Sequence, residues 1–304
     1  MEYLLLQVLN GVQLGLLMFL LAAGLTLTFG IMDLVNLAHG SLYMMGAYIA
    51  WTTISWTDSF VMGALLALPI IFVLGLVVEA VVARRLYARN HLDQVLATFG
   101  LILFFNELVR VIWGPAGKSI AVPAFLNRTV EILPGVPYPA YRFAIIVVGA
   151  AVAILLAWLV ARTRIGMLIR AGASNRRMIG VLGVNIELLF SLVFGLGAVF
   201  AGLAGLMAAP ITSVKIGMGD DILILAFVII VIGGIGSIKG AFIAAMVVGQ
   251  IDIVGRAFLP DLLKTFLSAS AASSAAPAIS QVLVYVVMAG VLVWRPTGLF
   301  GQRT

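Results

Sequence analysis

The chain has 304 residues, 63% of them hydrophobic and 10% charged, with a mean hydropathy of +1.20. A soluble domain of that length needs far more charge to cover its surface, which excludes water as the main solvent. The net charge of +6 would suggest nucleic acid in a soluble protein. Here the basic residues flank apolar runs, where they report membrane orientation, and no nucleic-acid partner is expected.

The N-terminal MEYLLLQ lacks the basic region of a cleaved signal peptide and reads as a retained first helix. Apolar segments then cover 5–29, 39–56, 60–83, 95–113, 141–161, 188–211, 222–236, 240–258 and 279–294. They are continuously apolar, so they predict helices; a barrel would alternate apolar and polar residues. The fold expected is an all-α, polytopic transmembrane bundle of about eight to nine segments, one membrane domain over 1–304. If the break after Phe29 is a loop there are nine segments with the N-terminus outside; if one run is a re-entrant half-helix there are eight full spans.

Arg84, Arg85 and Arg89 form one basic cluster, Arg162, Arg164, Arg170, Arg176 and Arg177 a second, and Arg295 with Arg303 a third. Placing all three in the cytoplasm leaves Lys118, Arg128, Arg142, Lys215 and Lys264 outside, a bias that fits the positive-inside rule and puts the C-terminus in the cytoplasm. The external segment about 114–140 carries five prolines, so it is not helical throughout. A second external loop, about 259–277, contains SASAASSAAP and reads as a small-residue linker.

No cysteine and two histidines leave no metal constellation and no nucleophile–base pair. Gly117-Lys118-Ser119 matches the tail of a phosphate loop, but position 112 is Ile where glycine is required. GIMDLVNLAHGS, 30–41, interrupts the apolar sequence with Asp33, Asn36, His39 and Ser41. It reads either as an interfacial loop with a helix cap or as a broken helix lining a solute path. GGIGSIKGA, 233–241, is the second break: Gly233, Gly234, Gly236 and Gly240 oppose a straight helix, and serve either the pathway or close helix packing. Glu107 with Arg110, and Asp252 with Arg256, are spaced to pair on one helix face and read as structural ion pairs. The basic segment about 162–186, between two spans, has room for one or two surface helices; it faces either lipid phosphates or a cytoplasmic partner.

NGVQLGLLMFLLAAGLTLTFGIMDLVNLAHGSLYMMGAY (10–48), RAGASNRRMIGVLGVN (170–185), GGIGSIKGA and the ending RPTGLFG (295–301) together resemble the LivH type of branched-chain amino acid ABC permease over essentially the full chain. The resemblance implies a non-enzymatic permease subunit of the bacterial inner membrane. It implies a second related permease, two ATPase subunits holding ATP and Mg, and an external solute-binding protein. It also implies that Ala171, Gly172, Ala173, Ser174, Asn175, Arg176, Arg177, Gly180 and Gly183 belong to a segment coupling the permease to its ATPase. The competing class is an ion-coupled secondary transporter using Asp33, Glu107 or Asp252 as the coupling carboxylate.

Overall fold

The computed structural model describes residues 2–133, 136–174, 176–181 and 183–301. In chain order come α1 (Glu2–Met32), α2 (His39–Thr57), α3 (Phe60–Val78), a π turn (Glu79–Ala83) leading into α4 (Arg84–Leu86), and α5 (His91–Trp113). The segment between α5 and α6 holds a 3₁₀ turn and the antiparallel hairpin of β1 (Thr129–Leu133) and β2 (Val136–Pro139). Then follow α6 (Ala140–Arg162), α7 (Arg164–Ser174), α8 (Arg176–Val181), α9 (Ile186–Ala208), α10 (Met218–Gly233), α11 (Ile238–Leu263) and α12 (Ala269–Trp294).

Among the described residues, seven helices are long and apolar enough to cross a bilayer. The shorter apolar helices α2, at 19 residues, and α10, at 16, pack among them. This is an all-α multi-pass membrane bundle, with one small hairpin added.

The centre of the bundle is α1, which packs against α6, α9, α10 and α11. Glycines along α1 allow this. A Cβ on Gly15 would stand 2.9 Å from the Ala245 carbonyl oxygen of α11, one on Gly24 2.6 Å from the Gly197 carbonyl oxygen of α9, and one on Gly30 2.6 Å from Gly236 Cα. In lipid the apolar solvent offers no hydrophobic drive between helices, so such close backbone approach is what holds them together. The outward faces of α3, α5, α6 and α12 are apolar and exposed, with Val73, Leu103, Ile154 and Val286 among them. That surface suits acyl chains.

The basic clusters around Arg84, on α7 and at the C-terminal tail gather at one end. Arg84 reaches Glu187 and Ser191 at the start of α9, and α7 lies against the end of α1 at Ile31. The C-terminal tail bonds the end of α10 through Leu299 N–H to Ile232 O and Phe300 N–H to Gly233 O. At the opposite end Trp113 Nε1 donates to Thr52 Oγ1 at 2.7 Å, and Arg142 Nη1 and Tyr138 OH both donate to Asn10 Oδ1. Burial in the hairpin pushes the Tyr138 phenol up to about 12, so it stays a donor at physiological pH. Lys118 also sits there: it exchanges backbone hydrogen bonds with Val214 and lies over the Trp51 ring, a structural role for the residue that mimicked a phosphate loop.

One expectation needs correction. The stretch 259–277 is mostly helix, because α11 continues to Leu263 and α12 begins at Ala269. Alanine is the strongest helix former, so an alanine-serine run needs only a cap to start, and Ser268 supplies it by accepting from Ala271 N–H. Pro260 and Pro277 lie inside these helices.

Candidate functional site

After α1 the chain turns at Asp33, exposed and left-handed at φ +53°, then climbs back along the bundle to His39. The His39 ring meets α1 at its middle, where Nε2 lies 3.1 Å from the Leu21 carbonyl oxygen. The partner can only accept, so Nε2 carries the proton. The freed backbone of this break is held by α5. Val35 N–H donates to Gln94 Oε1 at 3.0 Å and Leu37 N–H to Thr98 Oγ1 at 3.2 Å. Gln94 Nε2 in turn donates to the Leu86 and Arg89 carbonyls. Asn36, His39 and Ser41 are buried, and Asn36 Nδ2, His39 Nδ1 and Ser41 Oγ have no hydrogen-bond partner among the described residues.

Gln94→Leu is expected to orphan the Val35 N–H and to remove the amide that ties the Leu86 and Arg89 carbonyls to α5. Each buried unpaired group costs about 1–3 kcal/mol, so the thermal midpoint in detergent should fall clearly. An unchanged midpoint would show that α5 does not hold the break.

Gly233, Gly234 and Gly236 form the turn between α10 and α11 at the arginine-rich end. Gly234 and Gly236 take φ +98° and +79°, a region open to glycine. A Cβ on Gly233 would meet Ala241 N at 2.6 Å, and one on Gly234 would meet Gly301 Cα of the C-terminal tail at 2.7 Å. Their local role is close packing, and through Gly30 and Gly236 the two breaks touch.

At the same end Thr163 alone separates α6 from α7 and caps α7 by accepting from Gly166 N–H at 3.0 Å. Residues three apart, Gly166, Ile169 and Gly172, face inward, while Arg164, Met167 and Arg170 face out. At Gly172 a Cβ would lie 3.6 Å from both Ile31 of α1 and Leu189 of α9, so α7 rests on two helices that are themselves largely buried. Ala171 is half-buried, Gly180 is exposed, and Gly183 is left-handed at φ +85°. Asn175 lies outside the described residues, as do the side chains of Ala173, Ser174, Arg176 and Arg177.

Both predicted charge pairs are in contact. Glu107 and Arg110, 2.9 Å apart, are exposed near the C-terminal end of α5. Arg256 donates to Asp252 Oδ1 from Nε at 2.9 Å and Nη2 at 2.8 Å. This second pair lines a cavity of about 840 Å³ between α1, α2, α10, α11 and α12. Lys215, Asp221, Tyr43, Gln281 and Tyr285 share the lining, none of them apparent in the sequence as a site. The sign there was the i, i+4 pair of Asp252 and Arg256 set into a largely apolar helix.

A membrane bundle carrying a polar interhelical cavity and an amphipathic helix seated on its central helices is a transport protein of the polytopic helical class. The chain belongs to the family described as branched-chain amino acid transport system / permease component, whose model matches residues 7–292. It is 30% identical to the high-affinity branched-chain amino acid transport system permease protein BraD of Pseudomonas aeruginosa, over 97% of this chain and 95% of that protein. It is 27% identical to LivH of Escherichia coli K12, over 99% and 96%, and 28% identical to a probable LivH of Methanocaldococcus jannaschii, over 94% and 89%. No solved structure matches.

Proposed function

We propose that the chain is the permease subunit of an ATP-driven importer of branched-chain or related aliphatic amino acids, set in the cytoplasmic membrane with its arginine-rich end and C-terminus inside. It works with a second related permease, two ATPase subunits that hold ATP and Mg, and an external binding protein that delivers solute to the outer end. The observation that carries this reading is the seat of α7: its apolar face bears on Ile31 and Leu189, and its basic face is free for a cytoplasmic partner. A push on α7 reaches α1 and α9 without an intervening flexible segment. A partner shifts the inward–outward equilibrium only through contacts that differ between the two states, and a rigid wedge supplies such contacts. The breaks at 33–38 and 234–237, which lie where that push arrives, are the places where the helices give.

The ion-coupled alternative draws no support from Asp252, whose Oδ1 already takes two hydrogen bonds from Arg256 in an ion pair on its own helix.

The test is co-purification with the ATPase followed by uptake in proteoliposomes, using Gly172 as the probe. The space there admits a methyl group and nothing much larger, so Gly172→Ala should transport normally while Gly172→Trp should assemble and hydrolyse ATP with uptake reduced about tenfold or more, the scale of an ordinary coupling energy. Equal uptake by both variants would remove α7 from the coupling path. Concentrative uptake by the lone chain, driven by an ion gradient, would end the ABC-permease reading.

A further inference from the structure

The cavity between α10, α11 and α12 has a composition that selects among solutes. Its charged lining is two bases, Lys215 and Arg256, and two acids, Asp221 and Asp252, which sum to zero. Only one oxygen and one edge of the Asp252–Arg256 couple are used on each other; Asp252 Oδ2 and Arg256 Nη1 make no hydrogen bond among the described residues. Neither Lys215 nor Asp221 has an ion-pair partner there. The apolar lining lies deeper. Val248 is one helical turn nearer the arginine-rich end than Asp252 and two turns nearer than Arg256, and Met18 and Leu225 continue the apolar wall. The volume of about 840 Å³ is within the usual range for small-molecule sites.

We propose that this cavity is a transit site for the zwitterion of an aliphatic α-amino acid, its carboxylate toward Arg256 and Lys215, its ammonium toward Asp221 and Asp252, and its side chain down against Met18, Leu225 and Val248. The proposal rests on the reading of the chain as an amino-acid permease and adds where the solute is handled inside it. A neutral set of paired opposite charges holds a zwitterion by both ends, whereas a lone cation or anion gains one contact and meets one repulsion. The pre-formed Asp252–Arg256 couple lowers the cost of keeping these charges in the bundle while the site is empty. Binding here need only be loose, because a transit site must also release.

The chain has no cysteine, so Gln281→Cys places the only thiol of this subunit at the cavity. In the assembled complex with ATPases and binding protein, the rate of maleimide labelling of this subunit reads occupancy. L-Leucine at about ten times its half-saturating concentration should slow labelling about tenfold. At the same concentration 4-methylpentanoate and 3-methylbutylamine, each carrying one of leucine's two charges, should leave it nearly unchanged, and adding Arg256→Gln should abolish the leucine effect. Should Gln281→Cys fail to assemble, Ser213→Cys on the 212–215 loop gives the same readout at the same cavity. A complex that transports leucine yet labels at one rate with and without it overturns the site; protection by either half-molecule as strong as by leucine overturns the zwitterion assignment. A complex that assembles and hydrolyses ATP but transports no aliphatic amino acid overturns instead the function proposed above.

Discussion

Gly205→Leu is expected to leave no folded transporter in the membrane. At this point α2 and α9 cross with their backbones in contact. A Cβ on Gly205 would fall on the Tyr43 carbonyl oxygen and within 3.3 Å of the Ala47 nitrogen, while one on Gly46 would meet Gly202 O at 2.5 Å. Main-chain atoms on both sides cannot swing aside as a flexible side chain can. Overpacking of this kind costs about 1–3 kcal/mol in soluble cores, sometimes more, and here it strikes the van der Waals packing on which helix association in lipid depends. The crossing also carries Tyr43 to the cavity and His39 to the middle of α1, so any residual folded fraction should not transport. Gly100→Leu and Gly290→Leu are the controls, since a Cβ at either has nothing within 4 Å. Fluorescence-detected size exclusion should give a normal peak for both and an aggregated or absent one for Gly205→Leu. A normal peak and thermal midpoint for Gly205→Leu would mean that α2 and α9 are not in backbone contact.

Positions of the membrane segments were legible because apolar runs are long and interrupted by charge; the expected runs 39–56, 60–83 and 95–113 fall on α2, α3 with its π turn, and α5. Their ends were less so. Helix starts here are set by capping side chains. Asn90 accepts from Asp93 N–H at 2.8 Å, Asn185 from Leu188 N–H at 3.0 Å and Ser237 from Gly240 N–H at 3.1 Å. Caps lie in the polar flank, outside what hydropathy marks. The alanine-serine stretch misled for the opposite reason: composition suggests a linker, while alanine propensity and the Ser268 cap make a helix. Glu79 is fully buried, which its place five residues before Arg84 in sequence does not reveal. The cavity was least legible, since Lys215, Asp221, Asp252 and Gln281 come from a loop and three helices that only tertiary packing unites.

Glu79→Ala should separate ATP hydrolysis from uptake. The side chain of Glu79 is fully buried at the π turn between α3 and α4, and three neighbours converge on it. Arg84 Nη2 donates to Oε2 at 2.9 Å, Tyr87 OH to Oε1 at 2.9 Å, and Ser191 Oγ to Oε2 at 2.7 Å. Arg84 extends the network to Glu187. This one carboxylate therefore fastens the end of α3 to the first turns of α9, the helix that bears on α7 through Leu189. π turns interrupt regular helices at functional places, and this one aims the carboxylate across to α9. Removing it leaves a void and takes away the acceptor that Arg84, Tyr87 and Ser191 share, and removing one partner of a buried ion pair is costly. With α9 loosened from α3, a push on α7 is absorbed as local movement instead of reaching the solute path. Uptake should drop about tenfold or more, on the scale of a lost coupling energy, while ATPase activity in the assembled complex persists. Glu79→Gln retains the size and part of the hydrogen bonding, so it should fall between wild type and Glu79→Ala in both uptake and thermal midpoint. If Glu79→Ala lowers ATP hydrolysis and uptake in equal proportion, the network serves stability alone; if both stay at wild-type level, α9 is positioned without it.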